Sequence, residues 1–91
     1  MGFKRIYSTP RFLLKSEDGS GEVNRFAVII STNAVKKSVR RHFWRRQITE
    51  HVKHWPNFKK DFLIIVSPGI ENANKKIVWS ELEKARIALG E

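Results

Sequence analysis

Between Lys36 and Lys60 the chain places nine lysines and arginines against one acid, Glu50, so this stretch holds +8 of the +9 formal charge carried by 91 residues. Its densest part reads KKSVRRHFWRRQITEHVKHW. On a helix Lys36/Arg40, Lys37/Arg41 and Arg41/Arg45 are four apart and set like charges side by side, with only Glu50 able to offset Arg46 locally. Such rows repel one another, and a polyanion with closely spaced phosphates relieves the repulsion. From 36 to 46 four arginines outnumber two lysines. A planar guanidinium suits paired phosphate oxygens and stacked bases, whereas solubility alone needs no more than lysine. His42 and Phe43 add rings that could stack on exposed bases. The chemistry indicated is nucleic-acid binding, with Lys36, Lys37, Arg40, Arg41, His42, Arg45, Arg46 and Lys53 as candidate contacts.

Catalytic chemistry has weaker support. His51 and His54 lie three apart beside Glu50, without the four-residue spacing and further ligand of helical zinc motifs, so no metal site is expected. No paired carboxylates, Ser–His–Asp set, P-loop or GxGxxG occurs, so neither a catalytic residue nor a small-molecule substrate is expected. A small nuclease would have to use His42, His51 or His54 as acid and base, and no partner for any of them can be identified in the sequence. Cysteine is absent, which removes disulfides and thiolate sites and agrees with a reducing compartment. No apolar run is longer than the five residues of Phe62 to Val66, too short to span a membrane, and MGFKRIYSTP lacks the core of a secretory signal. A soluble cytoplasmic protein without membrane contact is the expectation.

The elements that would position these residues fit one domain, 1–91. Arg11 to Lys15 reads as a strand, and SEDGSG as the turn of a hairpin. Arg25 to Ser31 is rich in β-branched residues and reads as a central strand covered on both faces. Ser31, Thr32 and Asn33 favour helix N-caps, and neither Gly nor Pro interrupts Ala34 to Trp55, so a long helix is expected there. Trp44, Ile48, Val52 and Trp55 share one arc of it, while Val35, Val39 and Phe43 share another. Either the first turns pack against a different element, or the helix begins later than Asn33. Pro56 ends the helix, Asp61 to Ser67 forms a second buried strand, and Pro68-Gly69 closes it. Asn72 or Asn74 can cap a last helix whose core face is Val78, Leu82, Ala85 and Leu89. The order β-β-α-β-α describes an α+β two-layer sandwich in which a helix joins two parallel strands and the helices lie against one sheet face.

A strand ending in Ser31, then Lys37-Ser38-Val39-Arg40-Arg41-His42-Phe43-Trp44-Arg45-Arg46, then Asp61-Phe62-Leu63-Ile64-Ile65-Val66, resembles the bacterial ribonuclease P protein subunit from about Tyr7 to Leu89. That family has an alanine-valine pair and an arginine-asparagine-arginine, any residue, lysine-arginine signature. Val39 matches the valine, Arg41 the first arginine, and Arg45 and Arg46 the closing basic pair. Ser38 stands for the alanine, His42 for the asparagine and Phe43 for the second arginine. Lys15 stands where many members place an aromatic, and Ser67 where an arginine commonly follows the strand. Members usually carry a further N-terminal helix with a phenylalanine pair ahead of the strand that Tyr7 to Phe12 resembles, so the aromatic cleft is expected to lack one wall.

The resemblance implies a fold of the ribosomal protein S5 domain 2-like type, with a left-handed βαβ crossover that the general right-handed preference would not suggest. It also implies a role: ribonuclease P RNA cleaves the 5′ leader from precursor tRNA with bound magnesium, and the protein assists without a catalytic residue or cofactor of its own. Arg41, Arg45 and Arg46, with Lys37 and Arg40, would neutralise phosphates of that RNA. Phe12, Leu14 and Phe26 would form the leader contact. A ribosomal or other structured-RNA protein would use the same helix without a link to tRNA processing.

Overall fold

Lys60 to Val66 alternates Phe62, Ile64 and Val66 with Leu63 and Ile65, so both faces of a strand built from it are apolar. This strand organises the sheet. The computed structural model describes residues 2–19 and 21–90 and contains β1 (Lys4–Ser8), β2 (Phe12–Asp18), β3 (Arg25–Ile29), α1 (Ser38–Val52), β4 (Lys60–Val66), a 3-10 turn (Pro68–Asn72) and α2 (Lys75–Gly90). The strand order is β1-β2-β4-β3. β1 and β2 are antiparallel, as are β2 and β4, while β3 runs parallel to β4.

The order is thus βββαβα, one strand more than the sequence suggested. KRIYS at Lys4–Ser8 carries no strand signature in the sequence because it is short, half polar and at the sheet edge, where packing leaves little pattern. The expected hairpin is also absent. β2 continues to Asp18, and β4 lies between β2 and β3, pairing Phe12–Asp18 on one side and Arg25–Ile29 on the other. β3 is therefore an edge strand, not a central one. Neither β3 nor β4 is covered on both faces: inward residues alternate with partly exposed ones along each.

Helix α1 begins at Ser38, not near Ala34, which resolves the two apolar arcs. Residues 31–34 form a turn in which the Ser31 oxygens accept from the backbone N–H of Ala34 and Val35. Val35 is buried from this turn, while Val39, on the helix, is 76% exposed. Trp44, Ile48 and Val52 form the buried stripe of α1, and Trp55 joins them from the turn that follows. They meet Phe12, Leu14, Phe62 and Ile64 from the sheet and Val78, Leu82 and Ala85 from α2 in one core. Asn74, one of the two expected caps, accepts from the backbone N–H of Ile77 at 3.0 Å.

Polar ties hold the layers in register. Arg11 donates to both carboxylate oxygens of Glu81 at 2.7–3.0 Å, joining the start of β2 to α2. Asn24 donates to the Pro56 carbonyl at 2.8 Å and accepts from the Phe58 N–H at 2.9 Å, which anchors the return from α1 into β4. At Gly69 a Cβ would stand 2.3 Å from the Pro10 carbonyl oxygen, so the 3-10 turn approaches the β1–β2 connection as only glycine permits. Among the described residues no helix is long and apolar enough to cross a membrane.

Candidate nucleic-acid interface

The first turn of α1 contains no acid, and its N-cap, Lys37, is extended and makes no side-chain capping bond. The N–H groups of Ser38, Val39 and Arg40 precede the first intrahelical bond, from Arg41 N–H to the Lys37 carbonyl at 3.0 Å. The positive end of the helix dipole thus coincides with exposed Lys36 and Lys37. A phosphate is the natural counter-charge for such an end.

The arginines along the helix divide into two kinds. Arg41 donates from Nη1 to the carbonyl oxygens of Val35 (2.9 Å) and Lys36 (2.8 Å), clamping the preceding loop onto α1. Arg40 lies 4.9 Å from the Phe43 ring centroid and 5.7 Å from that of Trp44, with its Nε 3.9 Å from Glu71. Both help to hold the fold. Arg45 and Arg46 are exposed, and Arg45 reaches only the Val28 carbonyl, at 3.4 Å. His42 is exposed on the same outward side. Among the described residues no carboxylate pairs with Lys36, Lys37, His42, Arg45 or Arg46. Glu50, expected to offset Arg46, pairs instead with Lys53 at 2.7 Å, whose ammonium holds the Glu50 carboxyl below its usual range.

The residues expected to touch a leader are misplaced. Phe12 and Leu14 are fully buried at 0% exposure, and Phe26 stacks on Phe62 at 5.1 Å and meets Trp55 edge-on. All three face the helices. The opposite sheet face presents Leu13 and Lys15 from β2, Leu63 and Ile65 from β4, and Ala27 and Ile29 from β3. Arg5 of β1 lies in register with Lys15 at its edge. Because both parities of β4 are apolar, nothing in its sequence says which side the helices cover.

The three histidines do not converge. His42 is nine residues, half a rotation, from His51 on α1. His51 and His54 border a groove between α1 and α2. There the His51 Nε2 lies 3.7 Å from Glu83 and its ring faces exposed Trp79. Among the described residues no three His, Cys, Asp or Glu side chains cluster as a metal site. Burial pushes His51 below its ordinary value of 6.5, with Glu83 opposing and His54 and Arg86 reinforcing the shift, while Glu50 lines the same groove. The unfolded chain therefore takes up this proton first. Stability is full above the unfolded value and falls as pH drops through the lowered folded one. Replacing His51 with asparagine should flatten that fall, read as urea midpoints between about pH 8 and pH 5.

A family model described as Ribonuclease P matches residues 2–89. No curated protein matches the chain. Among solved structures it is similar to the RNase P protein from Thermotoga maritima in complex with 1-(4-fluorophenyl)-2-thiourea, with a TM-score of 0.78 and 16% identity, covering 90% of this chain and 81% of that one. It is also similar to the Staphylococcus aureus RNase P protein, with a TM-score of 0.79 and 16% identity, covering 91% and 77%. At such identity these two likenesses establish the fold.

Proposed function

Because this chain belongs to the bacterial ribonuclease P protein family, we propose that α1 grips phosphates of ribonuclease P RNA while the open sheet face receives the 5′ leader of precursor tRNA. The observation that carries this reading is the row of unpaired cations, Lys36, Lys37, Arg45 and Arg46, running from an uncapped helix end along the outward side of α1. Arg40, Arg41 and Lys53 contribute field to this row while partly engaged within the fold. His42 adds a donor at its centre.

The leader lies on Leu13, Ala27, Ile29, Leu63 and Ile65, with Arg5 and Lys15 meeting its phosphates from the β1 edge. No aromatic residue stands at these positions, so the face holds the leader by charge and apolar contact more than by stacking. Sequence selectivity in the leader should accordingly be low. The protein positions the substrate and lowers repulsion between two polyanions, while magnesium ions held by the RNA supply the metal chemistry of cleavage.

The test is leader removal by ribonuclease P RNA with and without this chain over a magnesium series. Addition of the chain should lower the magnesium needed for half-maximal cleavage. The double variant Arg5→Glu, Lys15→Glu should raise KM for a leader-bearing precursor about tenfold, and leave binding of ribonuclease P RNA intact. Binding of the RNA without any change in magnesium demand would overturn the tRNA-processing role.

A further inference from the structure

The groove between α1 and α2 has a volume of about 360 Å³, and its lining includes Gln47 and His51 from α1, Trp55 just beyond it, and Trp79, Glu83 and Arg86 from α2. Trp79 is 37% exposed, unlike the buried Trp44 and Trp55. Its indole faces the His51 imidazole at 22° between planes and 6.4 Å between centroids, and Lys75 Nζ stands 5.5 Å from the indole centroid. Exposed aromatic rings bordered by cations suit nucleobases, because every base offers a π-face and brings a phosphate with it.

Continuity favours RNA as the occupant. Glu50 borders both this groove and the adjoining hollow formed with Arg45, Arg46 and Thr49, so a strand crossing the cationic row of α1 reaches the groove without a break. The acids at the groove do not repel it, since Glu83 pairs with Arg86 and Glu50 with Lys53. The carboxamide of Gln47 can donate to and accept from a base edge. Lys75 and Lys76, both exposed, stand ready for the flanking phosphate.

We propose that this groove holds one unpaired nucleobase of the RNA bound along α1, stacked on Trp79 and edged by Gln47. The proposal rests on the RNA-binding reading above and extends it to a second locus on the helical layer, away from the open sheet face. The base lies over the indole, its exocyclic groups meet Gln47, and its phosphate meets Lys75.

The probes are pentauridylate and pentaadenylate, with a short blunt-ended RNA duplex as the paired control, titrated into the whole protein. Quenching of tryptophan emission reports the groove, which Trp79 and Trp55 both line, and anisotropy of fluorescein-labelled RNA gives the affinities of variants that lack Trp79. Saturable quenching by the unpaired pentamers is expected. Trp79→Ala should weaken pentamer binding by about 5- to 100-fold, with Trp79→Phe in between and duplex binding unchanged. Wild-type affinity of W79A for both pentamers, or equal loss of duplex binding in a variant that keeps its circular dichroism, would overturn the proposal. A shift from dimer to monomer in sedimentation on W79A would assign the groove to a second copy and overturn it too. Failure of the α1 reading is distinguishable, since it would show as wild-type affinity for ribonuclease P RNA in the R45E/R46E double variant.

Discussion

Reversing Arg45 and Arg46 together to glutamate is expected to weaken binding of ribonuclease P RNA about 100-fold at physiological salt and to lower the slope of log affinity against log salt by about two. Both side chains are exposed and neither pairs with a carboxylate among the described residues, so their charge is available to a ligand and their loss costs the fold little. Filter binding over a salt series gives both quantities. An unchanged slope would mean that these two arginines contact no phosphate. Arg41 is a poorer position for this experiment, although its match to the family signature is equally good. Its guanidinium clamps the carbonyls of Val35 and Lys36, so Arg41→Glu disturbs the start of α1 as well as the charge. Loss of binding there would mix two causes.

Trp44→Ala is expected to cost about 3–5 kcal/mol of folding stability. That is a large share of the roughly 5–15 kcal/mol available to a domain of this kind, so the variant should be partly unfolded without denaturant. Trp44 is 1% exposed and packs edge-on to Phe43 at the centre of the α1 stripe, so truncation leaves a cavity that the sheet and α2 together cannot close. Its Nε1 is buried and has no hydrogen-bond partner among the described residues. Trp44→Phe therefore removes an unsatisfied donor along with some volume and should cost less than about 1.5 kcal/mol. Urea midpoints with unchanged slope would check both values. Equal destabilisation by the two substitutions would mean that the indole nitrogen has a partner after all.

The two arginines and the tryptophan differ in how far the sequence disclosed them. Helical periodicity assigned Trp44, Ile48, Val52 and Trp55 to the core because one arc of a helix must be dry, and that arc is visible in spacing alone. The same logic gave two answers for Val35 and Val39. Only the turn at 31–34 separates them, by placing α1 after Lys37. Only the family resemblance suggests the open face for Phe12, Leu14 and Phe26; Lys15 and Glu17 on the other parity of β2 already turn Phe12 and Leu14 inward, and β4 alone, apolar on both parities, leaves its side unmarked. β1 leaves no mark in the sequence since an edge strand buries too little to impose a pattern.

By itself the sequence determined the charge: the +8 stretch from Lys36 to Lys60, its arginine-rich row and its single acid, Glu50, are properties of composition and spacing that folding cannot alter. It also determined the helix that carries the row and the stripe that seats it, since both depend on contacts within a few residues. Tertiary structure alone drew Arg40 toward Glu71, whereas Arg41 turns to carbonyls five and six residues back and Lys53 to Glu50 three residues back, both local contacts, and Arg45 and Arg46 stay exposed. It alone also put Trp79 beside His51 across two helices and turned Leu13, Leu63 and Ile65 to the open face. These outcomes depend on pairings between segments distant along the chain, and a local pattern of residues carries no record of its distant neighbours.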